Sequence, residues 1–113
     1  MTKKNNKYLL NKRLEVLKFA KIVVAESDLK NDILKTISNK YKLNINQTDL
    51  LFPEGKNGLI KFALEQLNID LEDYCKKLDL IRMPLHKRIR KILLCKIFLM
   101  NKEKKFYKKI FLS

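Results

Sequence analysis

The sequence predicts an all-α fold, in which a three-helix head is followed by two longer helices. Apolar residues recur at helical spacing along most of the 113-residue chain. Two glycines and two prolines are too few for the many tight turns of a strand-rich fold. The length and the hydrophobic fraction of 46% are typical of one globular domain.

Residues 1–53 divide into a basic arm, residues 1–8, and a three-helix head, residues 9–53. The first helix is expected over about residues 8–25, and Ser27 or Asp28 offers an N-cap oxygen to the second. Asn44 or Asn46 caps a brief third helix that ends at residues 50–52. The apolar positions that carry the first two helices are Leu10, Leu14, Leu17, Ala20, Val23 and Val24, then Leu29, Ile33, Leu34, Ile37 and Tyr41.

A corner of helix-breaking residues follows the head. Pro53 ends the third helix, because proline disfavours helical geometry at the residue before it. Gly55 is free to take a left-handed conformation, and Asn57 can cap the next helix. The corner therefore joins Phe52, which closes the head, to Leu59, the first buried residue of a long fourth helix.

Residues 54–100 form the two long helices. The fourth ends near Asp79, with a kink expected at residues 68–70, and Pro84 opens the fifth. Nine of the twelve residues at positions 89–100 are apolar, so the fifth helix needs cover on several sides. The cover is either the centre of the bundle or a partner, such as a second copy, a membrane surface or a further domain.

Residues 101–113 form a tail that mixes lysines with Phe106, Ile110 and Phe111. This pattern is typical of a basic amphipathic segment at an anionic interface, although a frayed, solvated tail has the same composition.

The net charge of +14 lies at the two ends of the chain. Residues 1–13 hold five basic residues and no acid, residues 14–82 hold eleven of each, and residues 83–113 hold ten basic residues against Glu103. Basic ends indicate nucleic acid, an anionic membrane or an acidic partner. A solvated surface in a lysine-rich chain, with 22 Lys against 4 Arg, is the alternative.

No motif of the sequence indicates catalysis, a cofactor or a metal. Cys75 and Cys95 match no zinc or redox spacing and are expected to be reduced core cysteines of a cytosolic protein, and His86 is the only histidine. The chain shows neither a signal peptide nor a run of about 18 apolar residues. We therefore expect a non-enzymatic, cytoplasmic protein, with peripheral attachment at the inner membrane face as the membrane alternative.

The three-helix head and the F-P-x-G-x-x-x-L that follows it resemble the N-terminal domain of the TetR-type regulators. The resemblance implies a helix-turn-helix head plugged by Phe52, with Asn46, Gln47 and Thr48 as base-reading candidates. Lys42 stands at the turn glycine of that pattern and Asp49 at its phosphate-touching tyrosine. An acid facing phosphate opposes binding, so the resemblance extends to the fold better than to DNA reading.

A second resemblance covers about residues 14–100. L-L-F-P-x-G followed by L-I-x-F, and R-I-R at residues 88–90, look like the Coq-nine family, the lipid-binding accessory proteins of ubiquinone biosynthesis. The resemblance implies a TetR-like fold without DNA reading and a role in presenting a polyprenyl quinone intermediate to a hydroxylase. That family carries a further helical domain with the lipid cavity, so a truncated or split relative is expected and no lipid-site residue carries over.

These observations leave three functions open: a membrane-peripheral or lipid-binding accessory protein, a small TetR-like DNA-binding protein, and an inactive remnant. The first implies lipid, an anionic membrane surface and a hydroxylase as partners, and a homodimer is also compatible with it. Its expected lipid or membrane contacts are Phe98, Leu99, Lys105, Phe106, Lys109 and Ile110.

Overall fold

The computed structural model describes the backbone of residues 3–112 and the side chains of residues 7–111. It confirms the all-α class, since the described residues form six helices and no strand. The basic arm, residues 1–8, is mostly part of the first helix, and the side chains of its first six residues lie outside the described ones. The helices are α1 (Lys3–Glu26), α2 (Ile33–Lys40), α3 (Ile45–Leu51), α4 (Lys56–Lys76), α5 (Leu85–Asn101) and α6 (Lys104–Leu112).

α2 begins later than the capping residues suggested. The Ser27 hydroxyl donates to the Val23 carbonyl at 2.7 Å, so it closes α1 instead of capping the next helix. Asp32 precedes α2 without a side-chain cap, and Leu29 therefore lies outside the helix. α3 is capped by Asn44, whose side-chain oxygen accepts from the backbone N–H of Asn46 at 3.0 Å.

A tight turn joins α2 to α3. Lys42 adopts a left-handed conformation with φ 56°, at the position where the regulator pattern has glycine. The Ser38 hydroxyl donates to Thr48 Oγ1 at 3.1 Å, and Thr48 Oγ1 donates to the Asn44 carbonyl at 3.1 Å. Both side chains are buried, so this chain of hydrogen bonds fixes the two helices against each other.

At the corner between α3 and α4, Gly55 takes φ 64° and ψ −130°. α4 starts directly after it, so Asn57 lies in the first turn of the helix rather than at its cap. Phe52 is buried, and its ring meets the Phe62 ring edge-on at 5.7 Å between centroids. α4 then continues without interruption through residues 68–70 and ends at Lys76, three residues before the expected boundary at Asp79.

The core is closed by α6, which corrects the expectation of a separate tail over residues 101–113. α1 has 24 residues and is about 36 Å long, so the short α2 and α3 cover only part of it. α6 packs on another part of α1, and Lys21 forms an ion pair with Glu103 at 2.9 Å beside this contact. The core residues are Val16, Leu17, Ala20, Val23 and Val24 of α1, Ile33, Leu34 and Ile37 of α2, Phe52, Leu59, Phe62, Ala63 and Leu67 around α4, and Phe106, Tyr107 and Ile110 of α6.

The second half of α4, the connecting loop and the first part of α5 project from this core. The last buried residue of α4 is Leu67, the first of α5 is Cys95, and none of residues 68–94 is buried. We call residues 68–94 the arm, and from here on this name does not refer to the basic N-terminal residues 1–8. The radius of gyration is 16.3 Å, whereas a compact domain of this length has about 13 Å. The molecule is therefore elongated.

Candidate functional site

α5 exposes a row of large apolar side chains along its outer side. Six of them are between 50% and 66% exposed. We call this surface the α5 face, and its members are Leu85, Ile89, Leu93, Leu94, Ile97 and Phe98. Surface residues of this kind are ordinary when scattered singly, but a contiguous set on one helix marks an interaction site.

The spacing of these residues explains why they share one surface. Leu85, Ile89, Leu93 and Ile97 recur every four residues and form one stripe, and Leu94 and Phe98 form a second beside it. Cys95 is the one buried residue of α5, because α4 covers a single side of the helix. Of the two kinds of cover that the sequence left open, the centre of the bundle does not take these six side chains, and that place is taken by α6.

Positive charge surrounds the α5 face. Lys87, Arg90 and Lys91 are exposed at its N-terminal part, and α5 contains no acidic residue. Of these three residues, Lys87 lies in the first turn of α5, where a basic side chain is unfavourable because the aligned peptide dipoles give that end a partial positive charge. An anionic partner at this surface would offset this unfavourable interaction.

Phe98 is held in place at the C-terminal part of the α5 face. Its ring lies 6.0 Å from the Tyr74 ring of α4, and the Lys102 ammonium lies 5.0 Å from its centroid. Leu99, the next residue, is only partly exposed and packs against the core. Of these two predicted lipid contacts, Phe98 belongs to the α5 face and Leu99 mainly to the core.

A basic groove of about 430 Å³ lies between the C-terminal part of α1 and the turn that joins α5 to α6. Lys102, Lys104 and Lys105 line it, together with the Lys21–Glu103 ion pair. The one acidic residue of the groove is thus already neutralised, and the remaining lysines suit an anionic group such as a phosphate. Further along α6, the predicted contact Lys109 is half-buried.

Phe106 and Ile110 do not belong to the surface. They are 2% and 7% exposed and lie in the core against α1. The structure therefore corrects their expected membrane contact. Burial of the same kind governs Tyr107, whose pKa is raised to about 12 by desolvation first and then by the negative charges of Glu103 and Asp70. These α6 side chains stabilise the fold, and the surface available for binding is the adjacent α5 face.

The residues expected to read DNA are not presented together. Asn46 and Gln47 are exposed, but Thr48 is 2% exposed and is held by its hydrogen bonds to Ser38 and Asn44. Leu50 is 78% exposed on the same helix. Asp49, also exposed, adds a negative charge there. An acid and a leucine beside the remaining polar groups disfavour contact with phosphates and base edges.

The sequence contained a signal for the α5 face, but it did not single out its members. The apolar excess of residues 89–100 is evident in the sequence, whereas the predicted contacts lie at the end of that run and in α6. Three exposed cations were missed as well. The residues that sequence reasoning missed are Leu85, Lys87, Ile89, Arg90, Lys91, Leu93, Leu94 and Ile97.

Within residues 3–112, no helix is long and apolar enough to cross a membrane. The described side chains also form no group of His, Cys, Asp and Glu suited to a metal ion. A comparison of the chain with protein-family models, curated proteins and solved structures found no match. Evidence for function therefore comes from the geometry of the α5 face and the chemistry of its residues.

Proposed function

We propose that the chain is a non-enzymatic protein that binds an anionic membrane surface through the α5 face. The observation that carries the proposal is a helix with six exposed apolar side chains, five basic residues and no acid. A helix of this composition suits the boundary between lipid headgroups and acyl chains. The apolar side chains enter the acyl region, and the basic residues remain at the level of the phosphates.

The positions of the charges support this arrangement. Lys87, Arg90 and Lys91 carry long aliphatic stems, so their charged ends can reach headgroups while the stems cover apolar surface. At the other end of α5, Lys102, Lys104 and Lys105 line the basic groove. Each basic residue near an anionic leaflet contributes on the order of 1 kcal/mol to membrane binding. Apolar burial and charge therefore act in the same direction.

The ligand class comes from the resemblance to the Coq-nine family, which implies a polyprenyl quinone intermediate and a hydroxylase that receives it. The α5 face is compatible with that role, because it offers apolar surface at the depth where an isoprenoid tail lies. We propose this role as the biological purpose of the membrane attachment. It is a separate claim, and a separate experiment tests it.

Flotation of the full chain with vesicles tests the attachment. Vesicles that contain an anionic phospholipid should carry the protein to the top of a density gradient, and zwitterionic vesicles should carry much less. The double variant Leu93→Ser/Leu94→Ser should weaken binding by about 10-fold or more, because two partly inserted leucines lose part of the roughly 1.5–3 kcal/mol that each gains on full burial.

The matched control for this variant is Leu50→Ser, which removes an even more exposed leucine on α3. It should float as the wild type does. Equal flotation of the wild type and the Leu93/Leu94 double variant would refute the assignment to the α5 face, and so would an equal loss in the Leu50 control.

Charge and ligand are tested with the same assay. Lys87→Glu/Lys91→Glu should abolish the preference for anionic vesicles. The control Lys30→Glu/Lys35→Glu changes the net charge equally at exposed residues away from α5, and it should keep that preference. Vesicles that contain a polyprenyl phenol should bind more tightly than vesicles of the same charge without it. Equal binding to both would contradict the quinone role and leave the membrane attachment standing.

A further inference from the structure

The two cysteines of the chain lie on α4 and α5, which pack against each other. Cys75 is near the C-terminal end of α4, and Cys95 is in the middle of α5. The ring contact between Tyr74 and Phe98, at 6.0 Å between centroids, joins the same two helices beside the cysteines. Because α4 packs against α5 and Tyr74 meets Phe98, Cys75 and Cys95 lie on neighbouring stretches of the two helices.

The two thiols also interact with each other. Burial raises the pKa of the Cys75 thiol, and the Coulombic interaction and hydrogen bonding with Cys95 raise it further. Cys75 is partly exposed and Cys95 is buried, so a reagent from solvent reaches Cys75 first. The raised pKa lowers the thiolate fraction of Cys75 and slows its attack, so exposure decides which of the two thiols reacts first.

We propose that Cys75 and Cys95 form a reversible disulfide that locks the C-terminal end of α4 to α5. Neither cysteine belongs to the core cluster around α1. A bond between them would not disturb the packing of that cluster. Its effect would fall on the arm, which has no buried residue of its own to hold its helices together.

The oxidant is a low-molecular-weight disulfide such as oxidised glutathione. The Cys75 thiol loses its proton, and the thiolate attacks one sulfur of the small disulfide. The S–S bond of the reagent breaks, one thiolate leaves and takes up a proton, and a mixed disulfide remains on Cys75. The Cys95 thiolate, formed by loss of its proton, then attacks the Cys75 sulfur and expels the second small thiolate, which is also protonated. Two cysteine thiols are thereby oxidised by two electrons, and one small disulfide is reduced to two thiols.

Incubation of the full chain with oxidised glutathione tests the proposal. Intact-mass analysis should show a monomer that has lost two hydrogen atoms, and peptide mapping should identify a Cys75–Cys95 bond. Reduction with dithiothreitol should restore both thiols. A stable glutathione adduct on the wild type, a disulfide-linked dimer, or two unreacted thiols would each overturn the proposal.

Single variants assign the order of the two steps. Cys95→Ser should stop at the glutathione adduct on Cys75, and Cys75→Ser should leave the buried Cys95 unmodified under the same conditions. An adduct on Cys95 of comparable yield in Cys75→Ser would contradict the assigned roles. Circular dichroism of both variants checks that each retains the helical fold, and Cys95→Ala replaces Cys95→Ser if the hydroxyl is not tolerated at the buried position.

Hydrogen exchange measures the effect of the lock. Oxidation should slow amide exchange in residues 76–94, the loop that the bond closes, by roughly 100-fold, the factor expected from cross-linking a loop of about this length. Exchange in α1 should change little, because that helix lies in the core outside the cross-linked loop. Unchanged exchange in the arm after complete oxidation would refute the lock, and this result does not depend on whether the α5 face binds membrane.

Discussion

Phe98 and Phe106 lie eight residues apart and end in opposite environments. Phe106 is 2% exposed in the core, whereas Phe98 is 50% exposed on the α5 face. The same contrast separates the core from the arm as a whole. α1 is covered by α2, α3 and α6, while α5 is covered mainly by α4. Apolar side chains thus stabilise the fold in one region and remain available to a partner in the other.

The contrast predicts that the same Phe→Ala substitution lowers the free energy of unfolding by different amounts in the two regions. Phe106→Ala should destabilise the protein by about 3–5 kcal/mol, because it opens a cavity in a closed core. Phe98→Ala should cost about 1 kcal/mol or less, since half of its surface is already in water. Urea unfolding followed by circular dichroism measures both values. Similar costs for the two variants would mean that the arm is as closely packed as the core.

The pH dependence of stability distinguishes the core from the arm, because Tyr107 is a core residue with a raised pKa. In the unfolded chain its phenol ionises near pH 10, and in the folded protein burial and the charges of Glu103 and Asp70 raise its pKa to about 12. The contribution of Tyr107 to the free energy of unfolding is complete below pH 10 and is lost as the pH rises through 12. The reason is that the unfolded state then releases a proton that the folded state retains. The total loss is about 2–3 kcal/mol.

Urea unfolding at several pH values between 9 and 12 checks this sign. Tyr107→Phe should show a shallower fall in the free energy of unfolding than the wild type. Tyr74→Phe, in the arm, should keep the wild-type slope, because it leaves Tyr107 in place. Parallel curves for the wild type and Tyr107→Phe would show that Tyr107 does not couple folding to pH.

The corner between α3 and α4, inside the core region, depends on Gly55. Its φ of 64° and ψ of −130° are accessible to glycine and costly for other residues, although no atom lies within 4 Å of an added Cβ. Gly55→Ala should therefore cost about 1–3 kcal/mol through backbone strain alone. Gly58→Ala is the matched change inside α4, where the conformation is helical and the new Cβ meets Glu54 Cβ at 3.3 Å. Thermal unfolding of both variants should show the larger shift for Gly55→Ala.

The smallest effect on stability is expected in the loop between α4 and α5, and it should be confined to the arm. Arg88 donates from Nε to the Leu80 carbonyl at 3.1 Å and from Nη2 to the Met83 carbonyl at 3.3 Å. Arg88→Lys cannot make both bonds and should cost about 1 kcal/mol in the arm, which is roughly 5-fold faster amide exchange in residues 77–88. The urea midpoint should not change, because the core does not depend on this loop.

Arg82→Lys is the control for this change. Arg82 pairs with Asp79 at 3.4 Å, but its side chain is 87% exposed, so the substitution should leave amide exchange unchanged. A lower urea midpoint in Arg88→Lys would mean that the arm and the core unfold as one unit.

Local signals in the sequence determined much of the fold. The 3.6-residue periodicity fixed the helical class, Asn44 marked the start of α3, and Phe52 with Gly55 marked the corner. These features depend on neighbours within a few residues, which a sequence contains explicitly. The boundary of α2 was placed too early, because Ser27 has two local hydrogen-bond options and the structure uses the one that closes α1.

The partition of apolar residues between core and surface was decided by tertiary structure. α5 and α6 both contain apolar and basic residues, and periodicity alone made α6 the exposed segment and α5 a candidate for burial. The long α1 needed a second covering helix, and α6 with its Lys21–Glu103 contact supplies it. The sequence by itself therefore determined which segments are helices and that their apolar surface exceeds what a small bundle can bury. Which surface stays exposed depends on contacts between residues far apart in the chain, and those contacts exist only once the helices have packed.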